Sequence, residues 1–227
     1  WFLSPIVAEK QWAAAPSLNV PRFYPNTVQL PDRSMVTIGG GSGRSIERGN
    51  HTTDGVEARR VELYDPATDE WRLGPAQRED RTYHSTAILL PDGRVWSAGD
   101  DNNPFPDDPE SVDTAEIYSP PYLFNGRRPV IRSATSAVGW NRKIEIRTRT
   151  RKRPPVRKAV LIAPGAPTHA VDMSQRVIPL KAKKLLGRRG LDVVSPPDAN
   201  VAPPGRYMLF GLTGSGVPSV AKWVRLR

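Results

Sequence analysis

The chain has 227 residues, including 24 Pro, 18 Gly and three His, and its formal net charge is +10. It contains no Cys, which excludes disulfides, zinc ribbons, iron–sulfur ligation and thiol catalysis within these residues. No apolar run approaches the roughly 18 residues that a bilayer-crossing helix needs, so we expect no membrane span.

The first ten residues, WFLSPIVAEK, include neither an initiator Met nor a basic segment leading into a continuous apolar run. No signal peptide is therefore visible in the chain. We expect the chain to be a fragment or a processed piece of a longer protein.

The N-terminal half of the chain contains an internal repeat. The segment from Trp12 to Tyr24 matches the segment from Trp71 to Tyr83 in its Trp, its Pro and its Arg. Each segment precedes two apolar runs joined by a Pro-Asp turn, NTVQL-PDRS-MVTIGGG and STAILL-PDGR-VWSAGDD, which predicts β-hairpins. A third match, VELYDP against AEIYSP, follows in each unit. Units of roughly four short strands are typical of propeller blades, and about two blades are too few to close a ring.

The repeat stops near Asn125. Four further predicted strands, KIEIRTRT, KAVLIA, RYMLFGL and AKWVRLR, are then separated by clusters of Pro and Gly. Strands at this spacing without helical periodicity predict a β-sandwich of about 100 residues. The sequence therefore predicts an all-β protein in two parts, propeller blades in residues 1–126 and a sandwich in residues 127–227.

The positive charge is concentrated in residues 141–190, which hold 15 Lys or Arg and 2 Asp or Glu, a local net charge of +13. The remaining residues hold 18 basic and 21 acidic side chains, a net charge of −3. Such a stretch can attract nucleic acid or another anionic polymer, or it can protect exposed strand edges and loop tips. We favour edge protection and expect no nucleic-acid partner, because no aromatic stacking pattern or nucleic-acid motif accompanies the charge.

Two of the three histidines have notable surroundings. His84 follows Tyr83 at the start of a predicted blade strand, and His169 lies in a loop rich in Pro and Gly. If the sandwich packs against the propeller, all three side chains can reach one point, and their mixed N/O donor set suits Cu(II). His51 lies in a polar loop without such features, and we do not expect it to be a ligand. A purely structural role for His84 and His169 remains open on spacing alone.

Four motifs in fixed order carry a family resemblance: RTYHSTAILLPDGRVWSAGDDNNP, AEIYSPPYLFNGRRP, APTHAVDMSQRVIPL and PPGRYMLFGLTGSGVPSVAKWVRL. From about Ser17 onward, the chain resembles the C-terminal portion of the galactose oxidase and glyoxal oxidase family of copper radical oxidases. The opening from Asn19 to Pro25 is more similar to the glyoxal oxidase branch. The resemblance implies the last blades of a kelch-type β-propeller followed by an immunoglobulin-like early-set domain.

The resemblance also implies roles for individual residues. Tyr83 would be the axial tyrosine that accepts the substrate's hydroxyl proton, and His84 and His169 would be equatorial ligands of one copper ion. The substrate would be a small aldehyde, an alcohol or a carbohydrate, oxidised with O₂ to give H₂O₂ by a secreted or cell-surface enzyme. The family's radical-bearing tyrosine, cross-linked to cysteine, belongs to earlier blades and is not encoded here. We therefore expect the missing N-terminal propeller segment to be a partner.

A non-catalytic function is the alternative. The same propeller–sandwich scaffold could bind glycans or partner proteins while retaining its former ligands by descent. The presence of Tyr83, His84 and His169 together favours the oxidase.

Overall fold

The structure, a computed structural model, describes residues 14–41, 59–100, 112–148, 153–186 and 189–227. Regular structure in these ranges is almost entirely β, arranged as four sheets and one short hairpin, which confirms the all-β prediction. No helix in these ranges is long and apolar enough to cross a membrane.

Two small antiparallel sheets form the N-terminal part. Sheet A has the strand order β1-β2-β3-β4, and sheet B has the order β5-β6-β7. The strands of sheet A are β1 Asn26–Gln29, β2 Met35–Ile38, β3 Arg60–Asp65 and β4 Glu70–Ala76. The strands of sheet B are β5 Thr86–Leu89, β6 Val95–Ala98 and β7 Ala115–Tyr118. Both predicted hairpins form, because the Pro-Asp turns join β1 to β2 and β5 to β6.

The sequence repeat and the sheets are out of phase by one strand. Trp71, which begins the second repeat, lies in β4, the last strand of sheet A. The repeated arginines nevertheless have the same environment in both sheets. Arg22 forms an ion pair with Glu62 of β3 at 3.0 Å, and Arg81 forms one with Glu116 of β7 at 3.4 Å. Each arginine thus attaches the segment that enters a sheet to the third strand of that sheet.

The two hairpin turns place different residues in the same backbone conformation. Arg33 has φ of 78°, and Gly93, at the matching position of the second turn, has φ of 83°. A side chain in this left-handed region is strained, whereas glycine adopts it freely. The first hairpin therefore has a steric cost that the second avoids.

We expect Arg33→Gly to raise the free energy of unfolding by up to about 1 kcal/mol, because it removes the Cβ strain at positive φ. Urea unfolding monitored by fluorescence measures the change. Gly93→Ala is the matched control and should destabilise the chain by a similar amount. The cost there comes from the positive φ alone, because an added Cβ meets no atom closer than 3.6 Å. A loss of stability in Arg33→Gly would contradict the assigned turn.

The C-terminal part consists of two facing sheets. Sheet C has the order β15-β16-β10-β8, and sheet D has the order β14-β11-β17-β18-β9, with β18 and β9 parallel. The strands of sheet C are β8 Ile131–Ala134, β10 Lys143–Thr148, β15 Lys181–Leu185 and β16 Gly190–Val194. The strands of sheet D are β9 Ala137–Val138, β11 Lys158–Ile162, β14 Val177–Pro179, β17 Gly205–Leu212 and β18 Lys222–Leu226. The short hairpin pairs β12 Pro167–Thr168 with β13 Val171–Asp172.

The two central strands of sheet D, β11 and β17, are buried on both faces. One face packs against sheet C in a core that includes Ala159, Leu161, Tyr207, Leu209 and Val224. Alternate residues of the same strands point the other way and pack against sheets A and B; these are Val160, Ile162, Met208, Phe210 and Leu212. Residues i and i+2 of a strand share a face, so these continuous apolar runs supply two cores at once. This double burial fixes the sandwich against the propeller-like part.

Polar contacts hold the segment that connects β7 to β8 against both parts of the fold. The Arg128 guanidinium donates to the carbonyls of Pro218 and Ser219, in both cases over 2.8 Å. The Tyr122 hydroxyl, 3% exposed as a residue, donates to the carbonyl of Gly93 in the β5–β6 turn. Burial raises the pKa of Tyr122 well above its usual range, so this hydroxyl stays protonated as a donor.

The basic residues lie partly on an exposed edge. The strand β15, which includes Lys181, Lys183 and Lys184, is the edge of sheet C and is exposed along its length. Its pairing with β16 is irregular between Ala182 and Lys184. Lysines and bulges at a sheet edge discourage pairing with another chain. This placement supports the edge-protection interpretation of the charge.

Candidate metal site

Tyr83 and His84 project from a tight turn that precedes β5. His84 has φ of 60°, and the Ser85 hydroxyl closes the turn by donating to the Thr82 carbonyl over 2.8 Å. Thr82 is held in turn by the buried Asp100 carboxylate, which accepts its backbone N–H at 2.9 Å and its hydroxyl at 2.9 and 3.0 Å. Because the residues on both sides of the turn are buried, the backbone positions of Tyr83 and His84 are fixed.

A buried amide from sheet A braces the same turn. The Asn26 Nδ2 atom donates to the carbonyl and the hydroxyl of Ser85 over 3.2 and 3.3 Å. Asn26 is 4% exposed and is the first residue of β1. The turn that carries His84 is therefore attached to both propeller-like sheets.

His169 occupies the loop of the β12–β13 hairpin. Thr168 pairs with Val171, so His169 and Ala170 form a two-residue loop, with φ values of 51° and 64°. Positive φ at both loop positions is the type I′ geometry, which Asn-Gly usually supplies. A His-Ala loop in this geometry is strained, and such strain commonly accompanies function. Because the sequence lacks the usual turn residues there, this hairpin was not predicted.

The carboxylate of Asp172 organises the hairpin from within. Its Oδ1 atom accepts the backbone N–H groups of Ala166 and Ser174, over 3.2 and 3.1 Å. On the outer side, Gly165 lies so close to β5 that an added Cβ would stand 3.3 Å from Ile88. The loop therefore reaches sheet B through a close backbone approach.

The structure brings Tyr83, His84 and His169 together. The two histidine Nε2 atoms lie 2.9 Å apart, and the ring planes meet at 86°. The Tyr83 ring stacks on His84 with centroids 3.9 Å apart and meets His169 edge-on at 5.6 Å. The three residues come from two different parts of the fold, and their role as metal ligands stays a prediction.

The separation of the two nitrogens fits adjacent ligands of one metal ion. Imidazole nitrogens bind metals at about 2.0–2.1 Å, so two of them at a right angle lie about 2.9 Å apart. The other ring nitrogen of His169, Nδ1, is 2.8 Å from the Thr168 hydroxyl. A hydrogen bond at that position fixes the ring orientation of a metal-binding histidine.

Tyr24 is a neighbour that the sequence analysis missed. Its ring meets Tyr83 edge-on with centroids 5.1 Å apart, and its φ of 56° resembles the conformation of His84. The repeat itself was the available signal, since Tyr24 matches Tyr83 while Pro25 stands where the second unit has His84. The candidate site thus arises where the two repeats diverge.

The candidate donors of this site are aromatic side chains. Across the ranges that the structure describes, no group of three or more His, Cys, Asp or Glu side chains could hold a metal ion. A site at His84 and His169 would therefore need a donor of another type, and Tyr83 is the candidate beside the two imidazoles. His51 lies outside the described residues, so the expectation that it is not a ligand stays a prediction.

Comparison with known proteins identifies relatives of the whole chain. The family model of the galactose oxidase-like early set domain matches residues 128–226. A galactose oxidase of Gibberella zeae is 33% identical over 219 residues, covering 94% of this chain and 30% of the relative. The aldehyde oxidase GLOX1 of Arabidopsis thaliana is 32% identical over 161 residues, covering 64% of this chain and 26% of the relative. The chain thus spans less than a third of the length of these curated relatives.

A solved structure is similar at the level of the fold. A fungal alcohol oxidase of the AA5 family, determined in complex with copper, superposes with a TM-score of 0.80 and 30% sequence identity. The match covers 93% of this chain and 44% of that chain. The arrangement of sheets A to D is therefore one that a copper-binding oxidase also has.

Proposed function

Because this chain belongs with the galactose and glyoxal oxidases and matches their C-terminal part, we propose that it contributes half of a copper oxidase's active site. The proposed reaction is the oxidation of an aldehyde or a primary alcohol with O₂ to give H₂O₂. The observation that carries this proposal is the perpendicular pair of imidazoles, with Nε2 atoms 2.9 Å apart and Tyr83 stacked beside them. We further propose a secreted or cell-surface location.

The residues present fit a copper ion. Two imidazole nitrogens and a phenol oxygen form a mixed N/O set, which suits Cu(II) better than harder cations such as Mg²⁺ or Ca²⁺. His84 and His169 would hold the ion through their Nε2 atoms. When bound, copper would supply a Lewis acid for the substrate's hydroxyl oxygen and a one-electron oxidant.

In the proposed reaction, Tyr83 acts as the general base. As a phenolate, its oxygen would take the proton that the substrate's hydroxyl group loses on binding and so become a phenol. The stacking of its ring on His84 and the edge contact of Tyr24 restrict the directions in which the phenol can point. His84 and His169 are both exposed, which leaves the site open to a small alcohol or aldehyde.

The partner in this proposal is an N-terminal propeller segment. The 227 residues contain no cysteine, so they cannot supply the cysteine-linked tyrosine that the family resemblance implies. That segment would bring the radical-bearing residue and further substrate contacts to the open side of the site.

We expect Cu(II) to raise the melting temperature of the chain, because an ion that binds only the folded state stabilises it. At a free concentration of 100 Kd the gain is about 2.7 kcal/mol. Differential scanning fluorimetry with and without Cu(II) measures it. His169→Ala should lose most of the shift, whereas His51→Ala, the matched histidine control, should keep it. An unchanged shift in His169→Ala would refute the shared copper site.

A further inference from the structure

Gln175 attaches the His169 loop to a strand that contributes no candidate ligand. It lies between β13 and β14, six residues after His169. Its Nε2 atom donates to the Thr27 carbonyl over 2.9 Å, and its Oε1 atom accepts the Gln29 backbone N–H over 2.5 Å. Both partners belong to β1 of sheet A. A single side-chain amide therefore binds two backbone groups of one strand.

This contact uses the free edge of β1. In the described residues, β1 pairs with β2 on one side only. Thr27 and Gln29 are two apart in the strand, so their backbone groups face the same way. The Gln175 amide spans a carbonyl and the N–H two residues further on, as the N–H and C=O of a single residue in a parallel strand would. It therefore holds its loop at a defined register along β1.

The strand β1 also holds the other half of the candidate site. Asn26, its first residue, donates to both oxygen atoms of Ser85 next to His84. Gln175 is linked to the His169 hairpin through Asp172, whose carbonyl accepts the Gln175 N–H over 3.3 Å. The His84 turn and the His169 hairpin are thus both tied to four consecutive residues of β1.

We propose that Gln175 is a positioning residue that sets the distance between His169 and His84 by docking the His169 loop on β1. This inference rests on the proposed copper site, since the separation it controls is the one between the two Nε2 atoms. Gln175 acts through the backbone of its loop and contacts neither imidazole in the observed hydrogen bonds. Outer residues that orient metal ligands typically change metal affinity by about 10–100-fold when they are replaced.

Three substitutions separate this role from a general contribution to stability. Gln175→Met keeps the approximate length of the side chain and removes both hydrogen bonds. Gln175→Glu keeps an acceptor for the Gln29 N–H and places a carboxylate oxygen against the Thr27 carbonyl. Met173→Ala is the matched control, because Met173 is on the same segment and is 83% exposed.

The experiment uses the full 227-residue chain with Cu(II) as the probe. Competition with a chelator measures affinity at a temperature well below unfolding, and EPR measures the copper hyperfine splitting. We expect Gln175→Met and Gln175→Glu to bind Cu(II) at least about tenfold more weakly and with an altered spectrum. Met173→Ala should match the parent in both. Parent-like affinity and spectrum in both Gln175 variants would overturn the proposal.

Hydrogen exchange of the metal-free chain tests the docking independently of copper. In Gln175→Met the Gln29 amide should exchange faster than in the parent, because its acceptor is removed. If the exchange is unchanged, the docking on β1 is wrong whatever copper does. If the parent binds no Cu(II) while the exchange responds as expected, the copper site fails and the docking stands.

Discussion

We expect the 227-residue chain loaded with Cu(II) to show a copper EPR spectrum and yet to release no H₂O₂ from primary alcohols or aldehydes. The oxidation of an alcohol to an aldehyde removes two electrons, and reduction of one Cu(II) to Cu(I) accepts only one. In the resembled family a cysteine-linked tyrosine supplies the second oxidising equivalent, and these residues contain no cysteine. A peroxidase-coupled assay measures the H₂O₂.

The control for this result adds the part of the proposed active site that these residues lack. Supplying an N-terminal propeller segment, covalently or as a separate chain, should produce oxidase activity. Tyr83→Phe should then reduce kcat/KM by about 10²-fold or more, because it removes the proposed general base. Strong activity of the 227-residue chain on its own would refute the half-site proposal and would require a second oxidant within these residues.

Replacing Glu62 by Ala should destabilise the chain by about 3–5 kcal/mol, because it leaves a buried cation without its carboxylate. The side chains of Arg22 and Glu62 are both 0% exposed, and burial lowers the pKa of Arg22 while Glu62 opposes that shift. Glu62 also accepts the backbone N–H groups of Asn19 and Val20, over 2.7 and 3.2 Å. Urea unfolding measures the loss.

Glu116→Ala, at the repeat-equivalent position, is the matched control. Arg81 is as buried as Arg22, but the Glu116 side chain is 26% exposed and lies 3.4 Å away, so water reaches this pair and we expect a smaller loss than in Glu62→Ala. Equal losses in the two variants would contradict the importance of burial.

Features with a local physical cause were predictable from the sequence. The Pro-Asp turns predict the hairpins because Pro and Asp favour the turn conformation, and both hairpins form. The neighbouring Tyr83 and His84 were recognised because they precede a predicted strand. The repeat also aligns Arg22 with Arg81, although it does not show that Trp71 belongs to the preceding sheet.

Features that depend on packing were not predictable in the same way. The residues His169 and Ala170 do not indicate a two-residue hairpin, since the hydrogen bonds of Asp172 and the packing of Gly165 near Ile88 hold that loop against its own preference. The sequence around Gln175 gives no sign that its side chain binds β1, because the contact joins residues far apart in the chain. The meeting of His84 with His169 depends on how the sandwich docks, which no local pattern encodes.

The burial of β11 and β17 on both faces limits how this protein can be divided by engineering. A transplanted copy of residues 127–227 would leave the face formed by Val160, Ile162, Met208, Phe210 and Leu212 uncovered. A contiguous apolar patch of that kind promotes aggregation. We therefore expect residues 127–227 to need a covering surface of complementary shape if they are produced apart from the rest of the chain.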